Sequence, residues 1–143
     1  MRVVTQDELG GPEVMHIAER AVPEPGNGEL LVRVGAAGIN PVDLAVRAGA
    51  FPLIGEPPFV LGWDIAGTVE RTGPAVSGFS PGDRVMGLAR FPDEAGAYAE
   101  FAAVSAEDMT RTPERIADVE AAALPLAGLT AWQALVETAG LDT

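Results

Sequence analysis

The sequence predicts a mainly β fold with short helices (α+β), a partly open barrel of strands with helices leading away from its C-terminal end. Two patterns carry this. Through Ser105 the apolar residues alternate in short runs, and 17 glycines and 12 prolines cut the chain into many turns. After Ser105 the spacing becomes helical, with Leu129, Trp132 and Val136 three and four residues apart. The chain's 143 residues are about one domain's length, and 48% hydrophobic content is enough to bury a core.

Charge and cysteine usage exclude several functions. The net charge is −12, with 9 basic residues against 21 acidic and no Lys/Arg cluster, which argues against nucleic acid and anionic membrane as partners. There is no cysteine, so disulfides, thiolate nucleophiles and sulfur-ligated zinc are all ruled out. The N-terminal MRVVTQDELGG lacks the continuous apolar core of a signal peptide, and no run approaches the ~18 apolar residues of a membrane span. A cytoplasmic protein is the expectation.

In chain order, residues 2–5 form a short strand closed by the turn residues Gly10, Gly11 and Pro12. Residues 14–21 form a second strand, with Val14, His16, Ala18 and Arg20 on one face. Residues 23–28 make a rigid, then tight, connection. Leu30, Val32 and Val34 alternate with Leu31, Arg33 and Gly35 in a strand over 29–36. Residues 51–59 hold three prolines and form a loop lying over another part of the fold. A strand over 63–71 contains Gly67 and follows Gly62, which suggests a bulge or a close backbone approach. Turns at 73–78 and 79–83 launch a strand over 84–88, and 96–104 is another, with Tyr98 and Phe101 as its aromatic positions. Thr112-Pro113 reads as a helix start, and Asp118 caps a second one. Ala121 to Leu124 are helix formers stopped by Pro125, and an amphipathic helix then runs to the Gly140 stop. That helix needs a second surface to cover it. The division is 1–117 for the barrel and 118–143 for a helical connector.

The corner AGINPVDLAVRAG, residues 37–49, organises the rest. Pro41 fixes its own φ and drives Asn40 out of the helical region, while Val42, Ala45 and Val46 repeat at helical spacing. Asn40 therefore stands at a strand-to-helix corner. Two readings stay open: a plain N-cap, or an uncharged amide that donates and accepts above the strand end.

GINPVDLAVRAG, LGWDIAGTVERTG, PGDRVMG, GAYAEF and AAALPLAGLTAWQAL stand in an order and spacing that resembles the medium-chain dehydrogenase/reductases. The closest resemblance is to the zinc-independent quinone oxidoreductase branch, relatives of zeta-crystallin, and it runs from Gly10 to Leu135. It implies a GroES-like barrel as the substrate-facing domain of a two-domain reductase, a homodimer at full length. In zinc-dependent relatives the position resembling Asn40 is a ligating cysteine and that resembling Trp63 a ligating histidine, so the resemblance implies no zinc here. The only histidine, His16, lies far from both in sequence, and Asp43 and Asp64 without nitrogen or sulfur partners make a weak transition-metal site.

Hydride transfer to a simple ketone needs a Lewis acid or proton donor for the developing alkoxide. A quinone or an α,β-unsaturated carbonyl spreads that charge, so neutral hydrogen bonds suffice. The resemblance sets Asn40 beside the nicotinamide and the acceptor oxygen as the catalytic residue, and Thr130 on the nicotinamide carboxamide. From the residues alone, Thr130 is equally a helix hydroxyl bonded back to an earlier carbonyl. Ala45, Trp63 and Asp64 are the substrate-pocket candidates. Ala45 stands where parts of the branch carry a tyrosine, Trp63 reads first as packing, and Asp64 as support for the loop near the site. Asp43 is expected to pair with Arg47 one turn later, and Tyr98 to be a barrel residue.

No G-x-G-x-x-G loop occurs in the sequence, so the NADPH that the resemblance implies would need a Rossmann domain beyond Thr143. The expectation is the N-terminal portion of a reductase, inactive by itself. Two alternatives are an enoyl-thioester reductase domain and a freestanding, non-catalytic binding or assembly module. A pocket extending under the 51–59 loop would favour the former.

Overall fold

A computed structural model describes residues 1–141. Eight strands form two open sheets. The smaller has the order β2-β1-β4, from β1 (Arg2–Gln6), β2 (Met15–Glu19) and β4 (Phe59–Val60). The larger has the order β7-β3-β5-β6-β8, from β3 (Glu29–Ala37), β5 (Asp64–Thr72), β6 (Arg84–Leu88), β7 (Phe101–Ser105) and β8 (Met109–Arg111). Every pairing is antiparallel. Helix α1 (Pro41–Arg47) follows β3, and α2 (Asp118–Ala121) and α3 (Pro125–Trp132) close the chain with a wide-turn helical segment, Gln133–Thr138.

The alternation in the central strands sorts their side chains as expected. Leu30, Val32, Ile65, Val69, Val85, Ala102 and Val104 form the main core between the paired strands. A second core gathers Val46, Phe59, Leu61 and Trp63 under α1, with Leu53 and Ile54 of the long loop packed against it. Ala121 and Ala122 dock α2 on Ala66 in a third, small cluster. Only side chains this small let a helix backbone lie so near a sheet.

Gly67 is the close approach that the sequence suggested. The β3–β5 register shifts between Val34 and Ala36, and a Cβ on Gly67 would run into the Arg33 carbonyl. Gly62 lies just ahead of β5 with φ at +95°.

Several expected elements differ. Residues 96–100 are not strand: they stitch the two sheets together, through Val4 N–H donating to the Tyr98 carbonyl at 2.8 Å and Val34 N–H to the Glu100 carbonyl at 3.0 Å. A segment bonding to strands on both sides cannot keep one ladder. The 51–59 loop ends in β4, and β8 is a further strand; both are too short to show period-two alternation. Residues 12–14 are a single 3₁₀ turn, so the second strand begins at Met15.

Thr112-Pro113 starts no helix, because the Thr112 N–H is still committed to the sheet, donating to the Arg84 carbonyl at 2.9 Å. The helix begins at Asp118, after Ala117, whose N–H is accepted by the Glu120 carboxylate at 2.9 Å. Asp118 bonds Arg84 at 2.6 Å instead of capping, and so ties α2 to β6. Pro125 opens α3 as its first residue. That helix is not one-sided: Leu129, Trp132 and, beyond it, Leu135 are exposed, and apolar residues lie all round.

Trp63, 1% exposed in the second core, donates its Nε1–H to the Asp93 carbonyl at 2.7 Å. Trp63→Ala is expected to cost about 3–5 kcal/mol and Trp63→Phe clearly less, since the phenylalanine keeps most of the packing. Chemical denaturation monitored by circular dichroism checks this. Equal losses in the two variants would show that the indole hydrogen bond, rather than ring volume, holds the second core.

Candidate functional site

The last pair of the β3–β5 ladder is Ala37 with Ile65, and the Gly38 N–H then donates to the Asp64 carbonyl at 3.0 Å. Strand pairing thus lays the end of β3 beside the start of β5. It brings Asn40 and Asp64 together across 24 residues of sequence. Gly38 is required where it stands. A Cβ there would lie 2.5 Å from the Ala122 carbonyl oxygen and 2.8 Å from Asp64 Cβ, so a side chain would push the α2–α3 turn off the corner.

Asn40 is extended, with φ −120° and ψ 159°, as a residue before proline should be. Its backbone N–H donates to Asp43 Oδ2 at 2.7 Å, the reciprocal half of a capping box. Its side chain does not cap α1. The Asn40 Nδ2 donates to Asp64 Oδ2 at 2.9 Å, and Asp64 Oδ1 accepts the Leu126 N–H, also at 2.9 Å. That N–H is among the first-turn donors a helix leaves free. Asp64 is therefore the cap of α3 and the partner of Asn40 at once.

Both carboxylates are buried, Asp43 at 2% and Asp64 at 1% exposure. Burial, which disfavours charge, pushes both carboxyls above the ordinary carboxylate range. For Asp64 the opposing influences are the bonds from Asn40 and Leu126. For Asp43 they are the Asn40 N–H and the nearby Tyr98 hydroxyl and Gly62 N–H, yet its Oδ1 holds no hydrogen bond. The Tyr98 phenol is raised as well, first by burial and then by the negative Asp43 beside it, and its hydroxyl lies 3.4 Å from the Gly38 carbonyl.

The structure thus groups Asn40 with Asp64. It sets Trp63 in the second core with its ring edge-on to Phe91, 5.5 Å away. Ala45 is half-buried on α1, and its carbonyl accepts the N–H groups of Ala50 and Phe51 as the chain turns into the loop. Thr130 is exposed on α3, one turn beyond Leu126; among the described residues its hydroxyl has no hydrogen bond, so the back-bonded reading is not what forms. The expected Asp43–Arg47 pair does not form either. Asp43 turns to the helix N-terminus, and Arg47 Nε donates to the Gly10 carbonyl at 3.2 Å.

Sequence reasoning missed two members, the Leu126 N–H and the capping carboxylate Asp43. The second had a signal, since Asn-x-x-Asp before an apolar run is a variant of the capping-box spacing. The first had none, because a backbone donor carries no residue type. Among the described residues no three His, Cys, Asp or Glu side chains converge as a metal site. At the corner itself the donor set is unsuited to zinc: the Trp63 indole only donates, and Asp64 already accepts two bonds. The largest cleft, about 740 Å³ and bordered by Glu29, Phe79, Arg90 and Asp108, includes neither Asn40 nor Asp64.

The alcohol dehydrogenase GroES-like domain family matches residues 26–114. The chain is 36% identical to human quinone oxidoreductase over 97% of its own length and 42% of the relative's. It is 37% identical to the mouse synaptic vesicle membrane protein VAT-1 homolog-like, over 99% of the chain and 33% of that protein. Among solved structures it superposes on Escherichia coli quinone oxidoreductase complexed with NADPH with a TM-score of 0.87 and 30% identity, over 97% of this chain and 41% of that one. The chain spans less than half the length of these relatives.

A carboxyl raised in the folded state binds its proton more tightly there than in the unfolded chain. Stability from Asp43 is therefore fully present below its ordinary value of 3.8 and lost as pH rises through the raised one. Asp83 and Glu100, held low by Ser80 and by Arg2, act oppositely and lose their contribution as pH falls. Asp43→Asn keeps an acceptor for the Asn40 N–H and removes the buried charge. Its stability should decline less than the native chain's between about pH 4 and 7, and denaturant midpoints across that range are the check. Parallel curves would show that Asp43 does not titrate differently on folding.

Proposed function

Because the chain belongs to the alcohol dehydrogenase GroES-like domain family, on the quinone oxidoreductase branch of the medium-chain dehydrogenase/reductases, we propose that it is the substrate-side portion of an NADPH-dependent, zinc-independent reductase. The acceptor is a quinone or an α,β-unsaturated carbonyl. One observation carries the reading. The Asn40 amide, at the position and in the backbone conformation of an N-cap, is withdrawn from capping and held by a buried carboxylate at the strand-to-helix corner. The cap it gives up is replaced by Asp43. An amide fixed in this way is preorganised to donate its remaining N–H to an acceptor oxygen without reorienting.

NADPH, when bound, supplies the hydride. This chain offers it no Gly-rich phosphate cradle, so residues 1–117 act as the substrate barrel and 118–143 as the connector to a nucleotide-binding domain. The unpartnered Thr130 hydroxyl and the Asn40 amide suit the carboxamide end of the cofactor, which both donates and accepts. With no zinc ligand set, the acceptor must disperse charge itself, which favours conjugated carbonyls. Leu53 and Ile54 fill the space under the long loop, against the extended pocket a thioester would want. A small molecule as partner, the cytoplasm as location and a homodimer as working form belong to the same reading.

The test is NADPH-dependent reduction of a para-quinone by protein carrying this chain with its nucleotide-binding domain, native against Asn40→Ala. Losing one preorganised donor is expected to lower kcat by about 10- to 100-fold with KM for NADPH little changed and with thermal stability held. Chelators should leave the rate unchanged. An unaffected rate in Asn40→Ala, or a chelator-sensitive one, would overturn the reading.

A further inference from the structure

The amide of Asn40 has two ends, and what faces it decides which end points inward. Asp64 Oδ1 is committed to a backbone N–H, that of Leu126, which can only donate. Any proton that Asp64 takes up must therefore sit on Oδ2, the oxygen facing Asn40. An ionised Oδ2 accepts only and requires Nδ2 opposite it; a protonated Oδ2 donates and requires Oδ1 there. We propose that Asp64 is a positioning residue whose ionisation sets the polarity of the Asn40 amide. Charged, it draws the nitrogen inward; protonated on Oδ2, it turns the amide over, so that the NH2 group takes the place of Oδ1 at the corner.

Other groups facing Asp64 cannot do the same. Asp43, from α1, grips the backbone N–H of Asn40 with Oδ2 and keeps Oδ1 unpartnered, so a proton on Oδ1 leaves that bond and the amide untouched. Tyr98, from the segment joining the two sheets, is neutral in this range because its phenol is raised. Arg47, on α1, is engaged with the Gly10 carbonyl. Burial also places the Asp64 ionisation nearer neutrality than that of an ordinary carboxyl, where a modest change in pH operates the exchange.

If the proposed function holds, on which this consequence rests, the charged form offers an acceptor oxygen one N–H beside the amide oxygen. The protonated form offers it the NH2 group alone. Asp64 then tunes the site towards carbonyl acceptors.

The direct test needs no cofactor. The sequence has two asparagines, Asn27 and Asn40, so the side-chain amide signals of the ¹⁵N-labelled 143-residue chain are assignable. The Asn40 pair should shift along a single ionisation curve centred above the ordinary carboxylate value. Asp64→Asn, which donates to position 40 while still accepting from Leu126, should remove the titration and hold the signals at the native low-pH position. Asp43→Asn should leave it in place, and Asp64→Glu should restore it. An Asn40 amide that does not titrate, or one that still titrates in Asp64→Asn, overturns the proposal. In the two-domain protein, kcat for the quinone should follow the same ionisation, and Asp64→Asn should be pH-independent and about tenfold different from native at neutral pH. If the amide titrates and the rate ignores it, the switch stands and the functional reading falls.

Discussion

The arrangement at this site depends on one carboxylate with two bonds. Asp64 begins β5, accepts from a side chain at the end of β3 and from the backbone of α3, and is 1% exposed. Burying a carboxylate is tolerable only if its oxygens are paired. Here both are, and each partner comes from a different element. The requirement to satisfy one buried charge therefore fixes the strand end, the corner amide and the C-terminal helix relative to one another. Gly38 supplies the room: any side chain there would separate the α2–α3 turn from Asp64.

This accounts for a departure from local rules. An asparagine before Pro-x-Asp at the start of a helix should bond its own first turn. Asn40 does not, because a buried anion nearby outbids a half-exposed backbone N–H for its donors. Asp43 serves that helix end instead, bonding the Asn40 backbone where Arg47 was the expected partner. Local preference is overridden where tertiary electrostatics are strongest, at the candidate site.

Much of the architecture was legible in the residues for the same physical reason that parts were not. The long central strands β3 and β5 alternate over nine residues each, and strands of that length show their period. β4, with two residues, and β8, with three, cannot. Residues 96–100 looked like strand because their composition is that of one, yet their hydrogen bonds run to both sheets. Thr112-Pro113 carried a genuine helix-start signal, and the sheet claimed the threonine first. At the site, Asn40 and Asp64 could be picked out by residue type and by resemblance. Their mutual bond could not, since it depends on register across two strands, nor could Leu126, whose contribution is a backbone N–H.

The electrostatics of the corner bear on the chemistry proposed for it. Two buried acidic groups stand beside an amide that would face developing negative charge. Opposite a localised alkoxide, each ionised neighbour would be repulsive, by about 4 kcal/mol at 4 Å under an effective dielectric of about 20. A metal would offset that repulsion, and the residues at this corner are unsuited to hold one. Two routes remain. The acceptor can carry its charge away from the corner through conjugation, or a neighbouring carboxyl can be neutral when the charge arrives. The first selects quinones and enones over simple ketones. The second is available because burial has already raised both carboxyls, and only at Asp64 would the proton also reorient the amide that meets the substrate.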